Sequence, residues 1–255
     1  IVIDLEGHYR SIKEVLEIFR NQPLIVIDPV DMGRNVASAV SLTKLSEFIL
    51  ASKLFISNPS LNFFKPRVEK PSLKDLRDLS AGRNILYILF KLEAEKPPDV
   101  LWGELRRSEE GVKRALERLG FRVYRSDCWT DEAELCIIIF ELDTIKLPNF
   151  AVHKGPPIHL ETAKDFIQKW SGKAIGPWVQ GDRLYILRRR DEVDAVKLLR
   201  RELDLNRVAI AKGLGSSIKG AEIDNRIDRL IEHLAGNSSA LRFISSFLKA
   251  RPPFI

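Results

Sequence analysis

The sequence predicts an α+β fold, and three observations support the prediction. Short apolar runs rich in Ile, Val and Phe alternate with longer amphipathic segments. Pro and Gly fall between these segments, where helices and strands are expected to end. In the middle of the chain the elements follow the order β-α-β-β-α-β, which is the split β-α-β arrangement of ferredoxin-like folds. We therefore expect an antiparallel sheet with helices on one face.

The first part of the chain predicts two helices and a short strand. The expected elements are a helix at about residues 11–19, a strand at 24–27 and a helix from 41 to about 55. Pro29 follows the strand and ends it, because proline cannot donate to a β-ladder. Ser41 is a suitable N-cap for the second helix, since its hydroxyl can accept from a backbone N–H of the first turn.

The middle of the chain predicts the ferredoxin-like body. The expected elements are a strand at 84–92, a helix at 100–119, strands at 121–129 and 135–142, a helix at 160–170 and a strand at 183–189. Gly120 is placed to end the first of these helices. The final strand would complete the sheet and pair with residues 178–180 across a Gly-Asp turn.

The last part of the chain predicts a mostly helical tail. The expected helices lie at about 193–203, 218–234 and 239–249. The predicted domains are therefore 1–66, 67–190 and 191–255.

The charge of the chain is unevenly distributed. Residues 173–255 hold 16 Lys and Arg against 10 Asp and Glu, whereas the remaining residues hold 25 of each. The whole formal excess of +6 therefore lies in the last third. A basic segment on a neutral body indicates an anionic partner such as nucleic acid. A solvated helical surface with scattered charge is the alternative, and charge alone does not decide between them.

Several classes of protein are disfavoured by the sequence. No apolar run approaches the roughly 18 residues that span a bilayer, and no signal peptide is evident, so we expect a cytoplasmic protein without a membrane partner. Cys128 and Cys136 are too few for a structural zinc site. They could face each other across a hairpin, but free thiols in a reducing cytosol are favoured.

No catalytic or metal-binding set emerges from the residues. A two-metal site for phosphoryl transfer would need closely spaced carboxylates that hold two Mg²⁺, such as two Asp one residue apart on a strand after a small-residue turn. Gly215-Ser216 is followed by Asp224 and Asp228. Because these acids are four residues apart in a helical pattern with arginines beside them, we expect ion pairs rather than metal binding.

Two motifs around the short strand are more specific. The sequence D-P-V-D at 28–31 is followed by R-N-V-A at 34–37, and S-L-N-F-F-K-P occupies 60–66. Together they resemble the central segment of archaeal (class I) CCA-adding enzymes, the tRNA nucleotidyltransferases that build the 3′ CCA end. Further similarity lies at Lys96-Pro97-Pro98-Asp99, Gly155-Pro156, Gly213, Gly215 and Ser217-Ile218.

The resemblance implies an organisation and an activity. Residues 1–66 would be the end of a helical central domain, before the ferredoxin-like body and the basic tail. The chain would be a C-terminal fragment that lacks the catalytic domain, so that Mg²⁺ would be held elsewhere in the parent enzyme. The parent would transfer CMP and AMP from CTP and ATP to tRNA, and the fragment alone would be inactive. The oligomeric state is left open, with a homodimer among the options.

The resemblance also implies binding residues. Arg34 would hydrogen-bond the incoming base, for which its rigid five-donor fork is suited, although a plain salt bridge is the alternative. Asp28 and Asp31 would cap the turn, or hold the Arg34 fork. Independently of the resemblance, the charge excess of the basic tail predicts a set of residues that bind tRNA phosphates: Arg188, Arg189, Arg190, Lys197, Arg200 and Arg201. A solvated helix face is the alternative, because Glu192, Asp194 and Glu202 lie nearby.

A function of another class is the rival interpretation. The chain could be a non-enzymatic RNA-binding module or an assembly factor built on the same sheet. The apparent lack of an aromatic pair suited to base stacking counts against it.

Overall fold

The computed structural model describes residues 1–65 and 71–251, and the contacts among them define two compact units: residues 1–65 with 250–251, and residues 71–249. It confirms the predicted α+β class, with helices and predominantly antiparallel sheets. Among the described residues, no helix is both long and apolar enough to cross a bilayer.

The first unit is a small helix-and-strand assembly. Its elements are β1 (Val2–Ile3), α1 (Ile12–Ile18), β2 (Ile25–Val26), α2 (Leu42–Ser57) and a 3₁₀ turn (Leu61–Phe63). The two strands pair in parallel. Val15 and Phe19 of the first helical segment pack against Ile25 and Ile27 to form a small core. Ser41 caps α2 as predicted, with its hydroxyl accepting from Lys44 N.

The second unit contains the rest of the described elements. They are α3 (Leu73–Ser80), β3 (Asn84–Lys91), α4 (Pro98–Leu119), β4 (Val123–Thr130), β5 (Leu135–Leu142), β6 (Phe150–Pro157), α5 (Thr162–Trp170), β7 (Ile175–Gln180), β8 (Arg183–Arg189), α6 (Ala195–Asp204), α7 (Gly215–Lys219), β9 (Glu222–Asp224), α8 (Ile227–His233) and α9 (Ser238–Lys249). The boundaries agree closely with prediction through β5. Gly120 ends α4 in the left-handed conformation, with φ of 107°.

The main sheet has the order β4-β5-β3-β9, and every neighbouring pair is antiparallel. This is the predicted β-α-β-β-α-β arrangement, but the prediction of its fourth strand was wrong. Strand β8 lies instead in a separate three-stranded sheet of order β6-β8-β7. The strand that completes the main sheet is β9, from the predicted tail. Residues of the predicted body and tail therefore share one sheet and one compact unit.

Helices cover both faces of the main sheet, so the expectation of one covered face was also wrong. On one face Leu86, Ile88 and Phe90 of β3 join a core with α4 and α6. On the other face Ile85, Tyr87 and Leu89 join a core with α3, α8 and α9. A strand buried on both sides reads as a continuous apolar run, which is the pattern of β3.

The predicted helix at 218–234 is divided into α7, β9 and α8. Helix α7 ends at Gly220, and residues 222–224 then pair with β3. The apolar spacing of this segment fits a helix, but hydrogen bonding to the open edge of β3 and burial of Ile223 favour a strand. Tertiary contacts here override the local pattern.

The loop between α6 and α7 crosses α4 at small residues. A Cβ at Gly111 would overlap the carbonyl oxygen of Ala209. One turn earlier, the Ser108 hydroxyl accepts a hydrogen bond from Ala211 N at 3.0 Å and donates to Glu104 O at 2.9 Å. This close approach fixes the loop that leads to the completing strand.

Candidate functional site

The turn that carries Arg34, here called the Arg34 loop (residues 28–34), is closed by its own backbone. Asp28 N donates to Arg34 O, and Arg34 N donates to Asp31 O, both at 3.0 Å. The Asp28 carboxylate accepts from Val30 N at 2.9 Å, and the Asp31 carboxylate accepts from Gly33 N at 3.0 Å. Both acids therefore cap the turn, which is the interpretation that the sequence favoured.

The Arg34 guanidinium projects from this loop into solvent. Its side chain is 68% exposed, and Nη1 lies 3.6 Å from Asp28 Oδ2. The pKa of the Asp28 carboxyl is held below its usual value, first by the Val30 backbone N–H and also by the Arg34 charge. A single long contact leaves most of the guanidinium donors available to a ligand.

Asn35, which sequence reasoning did not single out as a site residue, anchors the loop to β2. It is buried, and its Oδ1 accepts from Val26 N at 2.8 Å and from Ala37 N at 2.9 Å. Its Nδ2 donates to Leu24 O at 2.9 Å and to the Gln22 side chain. The available signal was a polar amide at the end of the turn that follows an apolar strand. An amide that becomes buried there must be hydrogen-bonded, and the backbone groups of the turn are the nearest partners.

Two further residues that sequence reasoning missed contact the Arg34 loop from the segment between β1 and α1. The Tyr9 hydroxyl donates to Met32 O at 2.5 Å, and His8 Nε2 lies 3.1 Å from Pro29 O. No local motif marks these residues, because they are some 20 positions away in sequence.

The predicted cluster Arg188-Arg189-Arg190 does not form one patch. Arg188 and Arg189 are exposed residues at the end of β8, and side chains alternate between the faces of a strand. In the pairing of β8 with β6, Arg188 lies opposite Ala151 and Arg189 lies opposite Phe150. Arg190 is partly buried, and its Nε makes no hydrogen bond within the described chain. Two exposed cations therefore face opposite sides of the second sheet.

Helix α6 presents the other predicted cations around a shallow cavity of about 590 Å³. Lys197 is exposed and lies 3.7 Å from Glu192, and Arg201 is exposed beside it. Arg200 is different, because its guanidinium donates to Lys219 O at 3.2 Å and to Ala221 O at 2.5 Å. It holds the end of α7. The cavity is lined by Val196, Lys197, Arg200, Arg201, Asp204 and Leu205.

The second sheet has an aromatic surface that sequence reasoning overlooked. Helix α5 covers the face that contains Leu184 and Ile186. On the other face Trp178 stacks on Tyr185, with ring centroids 5.9 Å apart and an interplanar angle of 24°. Trp178 and Tyr185 are cross-strand partners, which explains the contact. The sequence analysis expected no aromatic pair on the sheet, and for this sheet that expectation was wrong.

Two motifs that support the resemblance meet in the second unit. Lys96 Nζ lies 3.0 Å from Glu104 Oε2 of α4, and both side chains are largely buried. A Cβ at Gly213 would overlap this ion pair. Lys96 and Gly213 are therefore explained by packing of the α6–α7 loop against α4.

The acids considered for metal binding are engaged in ion pairs. Asp224 accepts from Arg226 at 2.7 Å and from Arg229 at 3.3 Å, and Asp228 lies 3.6 Å from Arg77. Throughout residues 1–65 and 71–251, no group of three or more His, Cys, Asp or Glu side chains could hold a metal ion. Cys128 and Cys136 are buried free thiols, as the sequence favoured.

The chain is similar to known proteins along most of its length. Residues 1–65 match the family model described as tRNA nucleotidyltransferase, second domain. Residues 81–224 match the model described as CCA-adding enzyme, C-terminal domain. The first match contains the Arg34 loop, and the second contains the main sheet.

Relatives named CCA-adding enzyme occur in several archaea. The chain is 40% identical to that of Pyrobaculum islandicum over 169 residues, covering 66% of this chain and 38% of the relative. It is 35% identical to that of Thermococcus kodakarensis over 209 residues, covering 81% and 44%. Identity to that of Methanothermobacter thermautotrophicus is 32% over 252 residues, covering 97% and 52%. The matched region thus spans between about two fifths and one half of these curated relatives.

Proposed function

Because the chain belongs to the family of CCA-adding enzymes, we propose that it is the C-terminal portion of an archaeal tRNA nucleotidyltransferase. The longer protein would add CMP and AMP, taken from CTP and ATP, to the 3′ end of tRNA in the cytoplasm. The observation that carries the proposal is the succession of two family matches along one chain.

Within this chain, Arg34 is the proposed contact to the incoming nucleotide. Its guanidinium is exposed on a turn whose backbone is fixed by internal hydrogen bonds. A guanidinium can donate to the acceptors on a base edge in a planar, directional pattern, and it can contact a phosphate at the same time. An exposed arginine on a rigid turn suits this role better than a mobile lysine would.

The metal chemistry of the proposed reaction is assigned to another part of the longer protein. The described residues offer no set of ligands, and Asp224 is held by Arg226 and Arg229. Mg²⁺ would neutralise charge on the transferring phosphoryl group. The residues of this chain would bind and orient the nucleotide and tRNA, without transferring the nucleotide themselves.

Two surfaces of the second unit are proposed to contact tRNA. On α6, Lys197 and Arg201 can reach phosphates, whereas Arg200 supports α7. On the second sheet, Arg189 accompanies the Trp178–Tyr185 pair, a combination suited to a phosphate backbone with an unstacked base. Contacts of these kinds read RNA shape more than sequence. The rival function, a non-enzymatic RNA-binding module, is not favoured by the family matches.

The decisive experiment replaces Arg34 in the full-length protein that carries this chain. Arg34→Ala should lower kcat/KM for CTP and ATP by about tenfold or more, because a hydrogen bond from a charged group is worth about 1.5–3 kcal/mol. It should also weaken the choice between the two nucleotides. Incorporation of labelled CMP and AMP into tRNA measures both effects.

The matched control is Arg114→Ala. Arg114 is 72% exposed and has one carboxylate partner, Glu110, at 2.9 Å, so it is an ordinary surface ion pair. Such a pair contributes little, and its loss should leave kinetics unchanged. Equal kinetics in the Arg34 and Arg114 variants would assign Arg34 to the same class and remove its role in nucleotide binding.

A further inference from the structure

Tyr9 connects the small core of the first unit to the Arg34 loop. Its ring packs edge-on against Phe19, with centroids 6.4 Å apart, and its backbone N donates to Asp4 Oδ2 at 3.0 Å. Its hydroxyl then reaches Met32 O at 2.5 Å. Tyr9 is thus held at its backbone and its ring, and it contacts the loop through one polar atom.

The Arg34 loop depends on such outside contacts for its orientation. Its internal hydrogen bonds set the shape of the turn, but they do not fix its direction relative to the core. Val30 at the tip is 95% exposed, so side-chain packing does not hold the tip. Near the tip, the contacts from the preceding segment are those of Tyr9 with Met32 O and of His8 with Pro29 O.

The contact to Asp28 is insufficient to direct the guanidinium. The Nη1–Oδ2 distance is 3.6 Å, and the arginine side chain is mostly in solvent. Exposed ion pairs of this kind contribute little energy. The direction of Arg34 must therefore be set mainly through its backbone, which lies two residues beyond Met32.

We propose that Tyr9 is a positioning residue for Arg34, acting through the hydrogen bond from its hydroxyl to Met32 O. The inference rests on the proposed function, in which Arg34 contacts the incoming nucleotide. Hydrogen bonds between a guanidinium and a base edge require donor–acceptor distances of 2.7–3.2 Å and good alignment. Asn35 ties the end of the loop to β2, and the contacts of Tyr9 and His8 hold its tip. A loop that loses the Tyr9 contact near its tip samples more orientations, and the contact that separates CTP from ATP is then made less often.

The test removes only the hydroxyl. In the full-length protein, Tyr9→Phe keeps the ring against Phe19, so the core should remain intact. We expect kcat/KM for both nucleotides to fall by about 3- to 10-fold, the factor that one net hydrogen bond supplies. The preference for the correct nucleotide at each step should fall as well. Tyr124→Phe is the control, because Tyr124 is exposed on β4 and its contact with Arg122 is through the ring, which phenylalanine keeps.

A double variant shows whether the effect passes through Arg34. If it does, Tyr9→Phe should cause no further loss in an Arg34→Ala background, because coupled residues are not additive. In the chain itself, amide hydrogen exchange at Gly33 and Arg34 should become faster in Tyr9→Phe, while exchange at Ile25 in β2 should not change. A purely structural role would instead alter exchange at Ile25.

The outcomes separate this inference from the function on which it rests. If Arg34→Ala impairs addition and Tyr9→Phe does not, the positioning role is overturned and the proposed function stands. The positioning role is also overturned if the loss of kcat/KM in the double variant equals the product of the two single losses. Tyr9 would then act independently of Arg34. If Arg34→Ala itself has no effect, the nucleotide-binding role fails first, and the positioning role fails with it.

Discussion

Asn35 shows how a single polar side chain can define a functional turn. Its amide satisfies backbone groups of Leu24, Val26 and Ala37, on either side of the Arg34 loop. Removing one partner of a buried hydrogen bond leaves the other unsatisfied, at about 1–3 kcal/mol for each group. The R-N pair in the sequence therefore has divided positions: the arginine projects into solvent, where we propose that it meets the nucleotide, and the asparagine holds the turn.

Glu141 is the centre of a second residue-scale network, in the second unit. Its carboxylate accepts from Arg83 Nε and from Arg125 Nε, both at 2.7 Å. Arg83 also donates to Leu248 O at 2.7 Å, and Arg125 donates to Phe247 O. The two arginines thus satisfy two of the last four carbonyl groups of α9, which have no partners within the helix. The Arg83 hydrogen bond first, and Arg125 second, lower the pKa of Glu141.

This network predicts acid sensitivity of α9 docking. A carboxyl whose pKa is lowered by folding adds stability above its unfolded pKa, and that stability is lost as the pH falls through the folded value. Below about pH 4.3, the ordinary Glu value, the protein should lose stability more steeply than Glu141→Gln. At neutral pH the variant should be the less stable. Urea unfolding followed by tryptophan fluorescence measures both stabilities, and Trp129, one of the four tryptophans of the chain, stacks on Phe243 of α9.

The control for this prediction is Glu134→Gln. Glu134 pairs with Lys91 at 3.1 Å, but both side chains are mostly exposed, so little stability depends on the pair. Its acid profile should match that of the unmodified chain. Identical acid profiles for Glu141→Gln and the unmodified chain would show that the arginines hold α9 without Glu141.

At the scale of elements, α4 contains two glycines with opposite roles. Gly111 lies under the α6–α7 loop, where any Cβ would overlap Ala209 O, whereas a Cβ at Gly103 would meet no atom within 4 Å. Gly111→Ala should therefore destabilise the second unit by about 1–3 kcal/mol or more, as overpacking does. Gly103→Ala should stabilise it by up to about 1 kcal/mol, because alanine favours helix. Denaturant midpoints measure both, and a similar shift in both would contradict the close crossing.

The elements that sequence predicted well are those with strong local signals. Strand β3 is a continuous apolar run, and α4 has Pro98 in its first turn and Gly120 at its end. One of the elements that sequence misassigned, β9, is three residues long and owes its conformation to the edge of β3. Local patterns cannot reveal a partner 130 residues away. The same reason explains why Arg34 was found from its motif, while Tyr9 was not.

At the scale of the whole molecule, the chain is expected to bind tRNA without adding nucleotides. Binding should weaken and lose part of its salt dependence in Lys197→Glu/Arg201→Glu, because each lost phosphate contact lowers the salt slope by about 1. Gel-shift titrations at several salt concentrations measure this, with incorporation of labelled CMP as the activity assay. Arg200 is left in place because it supports α7.

The control is Lys44→Glu, a change of an exposed lysine at the start of α2 that pairs with Glu47. It changes net charge by half as much and lies outside the proposed surface. If the double variant keeps the affinity and salt slope of the unmodified chain, α6 is a solvated face. Labelled CMP incorporation by the chain alone would place nucleotide transfer within these residues.

Strand β9 lies more than 100 residues after β3, the strand with which it pairs, and this separation matters during synthesis of the protein. Strand β3 is synthesised before β5 and can pair with it soon afterwards, but its other edge has no partner strand until residues 222–224 have been synthesised. During that interval the edge presents unpaired backbone groups, and α8 and α9, two of the helices that cover one face of the sheet, have not yet been synthesised. Open edges next to apolar surface are sites of aggregation. Synthesis of β9 therefore completes the sheet, and we expect a nascent chain that stalls before residues 222–224 to be prone to aggregation.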